Sequence, residues 1–328
     1  MAVLRVVAAM VRCARVRRLP ARARAAFVAA LASAPVLAQQ SRQVDPSPAE
    51  LAIAVGRFDE AESALFEAAN RTPREPSARG ALGAFLAARG KFLVGATLLD
   101  EALQFGADTV AIEARQMDIY RWTGDYERIS GLRTARLPDP LREAFRRSTE
   151  MQAGGAASAT VALQPNEALG LGQIGMTVNG VPVRADVHPT VNGLVLPSSM
   201  ELFAAIATTG ASGDTTYGVA RSITIGSVRL GPVPVALIPR LQTGRIGLDL
   251  LSQLTPTFDG AAHTLTVHSV AEPAAGSRLP VLLTFPGVSF VPRPGAAPVA
   301  LDAPAGRAAL RGTRWTLAVA EGAIIVAK

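Results

Sequence analysis

The chain has 328 residues, enough for two ordinary domains that each bury a core. Its net charge of +7 suggests a nucleic-acid partner only until the charge is placed. Arg5, Arg12, Arg15, Arg17, Arg18, Arg22 and Arg24 precede residue 39 with no Asp or Glu among them, which leaves the rest formally neutral, without the basic surplus that phosphate binding needs.

The arginine-rich start runs into an apolar stretch, Ala25 to Ala34, and then Val36-Leu37-Ala38 before Gln39. Charge, then apolar core, then small residues is the layout of a secretory signal. It predicts a signal peptide over 1–38, cleaved after Ala38, and export to the periplasm or beyond, with Met10 as an alternative start. The apolar stretch falls short of the ~20 residues that span a bilayer, so no stable membrane span is expected. Cys13 lies in this leader, and His188, His263 and His268 are scattered without metal-ligand spacing. No disulfide, metal or cofactor is expected.

Between 46 and 150 one spacing recurs. Gly56, Gly90 and Gly124 stand 34 apart, as do Phe58, Phe92 and Tyr126, and Ala61/Gly95, Leu65/Leu99 and Ala68/Ala102 keep the phase. Each glycine is expected to end a helix, the aromatic two residues on to fill the hinge, and the small residues to let the next helix approach. Gly56-Arg57-Phe58-Asp59-Glu60-Ala61 with Ala68 and Pro73 resembles the second helix of a tetratricopeptide repeat, and Leu82-Gly83 the pair in that family's first helix. The resemblance implies a three-unit array, with Leu141 to Ser148 as a capping helix. Such an array is either a groove for peptides or partner helices, or a platform for the next domain.

Residues 151–160 are expected as a linker into an all-β domain over 161–328, rich in Val, Thr, Gly and Pro. Ile174, Met176 and Val178 alternate into Asn179-Gly180, a two-residue hairpin turn, and Val181 and Val183 return. Gly193-Leu194-Val195-Leu196-Pro197 leads into an expected helix, Glu201 to Ala207; Ile246-Gly247-Leu248-Asp249-Leu250-Leu251 and Thr257 to Val267 follow. Thr209 to Gly213 reads as a loop. Residues 281–328 are expected to complete the β-domain or form a dimer edge, closing with a hairpin around Glu321-Gly322.

That order is similar to a retropepsin-like aspartic protease lobe across roughly 100 residues. The resemblance implies a β-barrel, a catalytic loop ahead of Gly193, a glycine crossing behind it at Gly247, and a homodimer as one option. The loop departs from the family: counting back from Gly193, the acid position holds His188, followed by Pro189, Thr190, Val191 and Asn192. Aspartic proteolysis needs two carboxylates that share one proton, which an imidazole cannot supply. Asp186 could serve if two residues were inserted, and Asp302 in Val299-Ala300-Leu301-Asp302 could be its partner. Strand alternation places Asp186 and His188 on one face, where a solvent-facing polar pair is the plainer expectation.

Two functions follow. One is an exported, catalytically degenerate protein that binds a polypeptide or mediates assembly. The other is an aspartic endopeptidase using Asp186 with a symmetry mate or with Asp302.

Overall fold

The computed structural model describes residues 47–133, 137–166, 170–270, 274–284 and 287–327, so the expected leader lies outside the described residues. Seven helices come first: α1 (Pro48–Ala54), α2 (Phe58–Arg71), α3 (Pro76–Ala88), α4 (Phe92–Gln104), α5 (Thr109–Thr123), α6 (Tyr126–Gly131) and α7 (Asp139–Arg146). Their starts are coded locally. Ser47 and Glu50 form a reciprocal capping box, and Asp108 and Asp125 accept from Val110 N and Arg128 N. The recurrent glycines do end helices: Gly56, Gly90 and Gly124 have φ of 73°, 78° and 69°, a left-handed conformation that favours glycine. Phe58 and Tyr126 are buried at the hinges, and Gly83 and Gly95 bring α3 and α4 into close approach.

The remainder is a large mixed sheet. Its strands are β1 (Gln152–Gly155), β2 (Ser158–Gln164), β3 (Gly172–Val178), β4 (Val181–His188), β5 (Leu194–Pro197), β6 (Ala207–Ser212), β7 (Thr215–Ala220), β8 (Ile223–Ile225) and β9 (Val228–Gly231). After them come β10 (Val233–Ile238), β11 (Gly244–Gly247), β12 (Thr257–Asp259), β13 (Thr264–His268), β14 (Ser277–Thr284), β15 (Gly287–Phe290), β16 (Val299–Ala300), β17 (Arg314–Ala318) and β18 (Ala323–Val326). The short helices α8 (Met200–Phe203), α9 (Leu248–Leu251) and α10 (Pro304–Leu310) interrupt them, with a 3₁₀ turn at Ser252–Leu254.

One run of neighbours is β6, β7, β10, β5, β11, β4, β3 and β2. Within it β10 lies parallel to β5 and β11 parallel to β4; the other pairs are antiparallel. A second run continues from β2 through β13, β12, β17, β18 and β14, so the C-terminal residues complete the same sheet system. Asn179 and Gly180 take φ of 51° and 87°, the turn that matches strand twist and fixes the β3–β4 register. In the core, Phe258 stacks on Trp315 at 4.2 Å between ring centroids.

The helices and the sheet form one compact unit. All three hinge glycines press on loops and turns that flank the strands. A Cβ on Gly56 would lie 2.4 Å from Ala296 O, one on Gly90 2.1 Å from Val319 O, and one on Gly124 2.7 Å from Met151 Cε. Arg89 donates to Val281 O at 3.0 Å, and the Thr209 hydroxyl donates to Pro140 O, at the start of α7, at 2.7 Å.

Three local expectations are corrected. The stretch expected as a linker, 151–160, holds β1, paired with β9, and the opening of β2. Thr209 to Ser212 is strand, not loop, because β7 supplies a partner and a register shift between Thr208 and Gly210 absorbs the extra residue. The helix expected over Glu201 to Ala207 is one turn long, since Ala205 adopts φ of 46° and the chain reverses into β6.

Candidate functional site

β4 ends at His188 and β5 begins at Leu194; the loop between them is fixed from behind. Gly247 N donates to Gly193 O at 2.7 Å, and Gly193 N donates to both carboxylate oxygens of Asp249, at 2.9 and 3.0 Å. β11 crosses here at touching distance: a Cβ on Gly247 would sit 2.2 Å from Val191 O. Glycine is required because backbone passes backbone without room for a methyl group.

Asp186 stands in the middle of three adjacent strands, opposite Gln173 of β3 and Arg245 of β11. It is 2% exposed, which overturns the expectation of a solvent-facing pair. Its Oδ1 accepts from Asn166 Nδ2 at 3.1 Å and from Gln173 Nε2 at 3.2 Å, so two carboxamides hold that buried oxygen.

His188, half-buried, lies two residues on along the same face. Its Nδ1 accepts from Thr190 N at 3.3 Å and lies 3.0 Å from the Thr190 hydroxyl, which leaves the neutral ring's proton on Nε2. Burial, chiefly, and Arg245 push the imidazole below its ordinary value; Asp302 and then Asp186 oppose them. Asp302 follows β16, with its carbonyl accepting from Arg307, and acts on His188 electrostatically. Among the described residues no hydrogen bond joins Asp186 to Asp302, and no group of His, Cys, Asp and Glu could hold a metal ion.

The sequence expectations named Asp186, His188 and Asp302; the fold sets Asp186 and His188 two residues apart on β4, and Asp302 acts on His188 only electrostatically. Those expectations missed Asn166, Gln173 and Arg245. Gln173 could have been found, because a two-residue turn at Asn179-Gly180 pairs it with Asp186 by counting back along the strand.

Behind the loop, α5 meets α9 and the 3₁₀ turn. Gln253 Nε2 donates to Trp122 O at 2.8 Å. Arg121, over the Phe145 ring at 5.2 Å, acts electrostatically on Asp249. Burial, above all, raises the Asp249 carboxyl, while Arg121 and the Gly193 N–H lower it. Asp118, one helical turn before Trp122, is pushed by burial up to about 6, against the pull of Arg115 and Arg121. A carboxyl raised in the folded state stabilises the fold relative to its ionised form below its unfolded value of 3.8, and that stability is lost as pH rises toward about 6. Asp118→Asn is therefore expected to stabilise the protein on the order of 2 kcal/mol at pH 8 and hardly at all at pH 4, as urea unfolding at the two pH values would read.

No family model and no curated protein matches this chain. A solved structure titled as the crystal structure of a retropepsin-like aspartic protease from Rickettsia conorii is similar over 36% of this chain and 91% of its own length, with 12% identity and a TM-score of 0.27.

Proposed function

We propose that this chain is an exported polypeptide-binding or assembly protein, with a retropepsin-like β-domain that lacks a working acid dyad and a tetratricopeptide-like helical array docked on it. The observation that carries the reading is the state of Asp186. Its carboxylate is buried and its Oδ1 is engaged by Asn166 and Gln173, while the end of β4 presents His188 to the loop. An aspartic peptidase needs two carboxyl groups facing one water, one to activate it and one to protonate the substrate carbonyl. A carboxylate enclosed by amides and followed by an imidazole is a structural acceptor.

The helices support a polypeptide partner. A cavity of about 500 Å³ runs between α2, α3 and the start of α4, lined among others by Phe66, Leu82 and Leu86. Phe66 is 57% exposed. Apolar anchors in a helical groove are how extended or helical segments are held.

The purified protein is expected to give no pepstatin-sensitive cleavage of unfolded protein between pH 4 and 6. Cleavage that disappears in Asp186→Ala would overturn the reading. Recovery from the periplasm of a chain beginning at Gln39, read by N-terminal sequencing, checks the export part. The second reading, an aspartic endopeptidase pairing Asp186 with Asp302, draws on the electrostatic effect that both carboxyl groups have on His188. It requires that Asp302→Asn abolish the same cleavage.

A further inference from the structure

Resting on the reading of the cavity between α2, α3 and α4 as a polypeptide-binding groove, we propose that its occupant is a second copy of this chain. The segment inserted is the turn at 200–205, with Leu202 and Phe203 as its anchors.

Leu202 and Phe203 of α8 are 88% and 73% exposed, two adjacent large apolar side chains in water at one point of the β-domain. Their exposure is built into the turn. Ala204 and Ile206 are buried and Met200 packs against the core, so the inward positions are already filled. Asn179, at the β3–β4 turn, donates from Nδ2 to Ala204 O at 2.7 Å and to Ala205 O at 3.3 Å, while its Oδ1 accepts from Ser222 N at 3.1 Å. One side chain thus clasps two turns and holds the pair outward on a fixed base, so little freedom is left to lose when a partner covers it. A contiguous apolar patch presented in this way marks a contact site.

The groove is its counterpart in shape and charge. Leu82 and Leu86, both buried, form its floor and Phe66 stands at its side, around a cavity of about 500 Å³ that has room for a leucine and a phenylalanine. Asp59, Glu62 and Glu67 line it against one cation, Lys91. Lys91 Nζ lies 2.6 Å from Glu62 and Arg71 pairs with Glu67, whereas Asp59 makes no ion pair among the described residues. On the other surface, Arg221 directly precedes Ser222 of the clasp, is exposed, and likewise makes no ion pair among the described residues. The acid of α8, Glu201, has Lys91 as its counterpart. Opposite charges around an apolar anchor fix the orientation of docking. Because turn and groove are different surfaces of one chain, copies meet head to tail, and each contact leaves one turn and one groove free for the next.

Sedimentation equilibrium of the purified protein tests this. The weight-average mass is expected to rise at least twofold between low and high micromolar concentration. Leu202→Asp, with its groove intact, and Phe66→Asp, with its turn intact, are each expected to stay monomeric over that range. An equimolar mixture of the two is expected to form a one-to-one complex that grows no further. A monomeric parent at every concentration, assembly by either variant alone, or a mixture that stays monomeric would overturn the proposal. Should Phe66→Asp lose helix by circular dichroism, Ser63→Arg, which closes the groove from its exposed rim, takes its place under the same criteria. The pepstatin test reads cleavage and this one reads mass, so failure of the docking and failure of the wider reading are told apart.

Discussion

Gly247→Ala is expected to cost about 3 kcal/mol of stability or more, at the upper end of what overpacking a well-filled site costs. The residue sits at φ −77°, ordinary for alanine, so the whole effect is steric. The added methyl would fall 2.2 Å from Val191 O, 2.3 Å from Asp249 Oδ1 and 3.0 Å from Gly193 N. The two backbone atoms belong to the loop, and the carboxylate is the group that holds it, so relief in any direction breaks the Gly193 bonds. Urea unfolding would show the lower midpoint. In the surviving folded fraction, an altered titration of His188 by NMR would show that the loop has moved.

The second large effect is expected at Gly90. Its φ of 78° costs an alanine ~1–2 kcal/mol, and the Cβ would lie 2.1 Å from Val319 O and 2.9 Å from Gly322 N. Gly90→Ala is expected to lose about 3 kcal/mol or more and to lift the middle of the helical array off the β17–β18 hairpin. In a Trp122→Phe background, helix content followed by circular dichroism would then be lost at a lower denaturant concentration than the fluorescence of Trp315, whereas without the Gly90 substitution the two coincide. Gly106→Ala is the control. It has a similarly left-handed φ of 94° but nothing within 4 Å, so it is expected to show the conformational cost alone and keep a single transition.

What was legible in the sequence is what depends on local chemistry. The helix ends followed from glycines at a fixed spacing, and the β3–β4 register followed from Asn179-Gly180. Gly247 was legible as a crossing point only through the family resemblance that Ile246-Gly247 carries. The burial of Asp186 was not legible. Its partners are one carboxamide outside the strand at Asn166 and one on the neighbouring strand, and alternation states only which face a side chain shares, not what covers that face. Arg245 was missed for a related reason. It stands opposite Asp186 because β11 runs parallel to β4, and a parallel neighbour leaves no turn between the strands from which its register could be counted. Nor did the array's attachment show in the pattern. The glycines were read as turns, and their second property, that atoms of the β-region fill the space a side chain would need, appears only when both halves are assembled.

Those three contacts make the array a ruler. Each hinge meets a different loop or turn of the β-region, and the next hinge arrives in the correct orientation only if the intervening helices keep their length. One residue added inside α3 would swing everything beyond it by about 100° and carry Gly90 away from its seat. Insertions and deletions should therefore be rejected throughout the helices but accepted at the turn around Gly106, where no neighbour is close enough to notice.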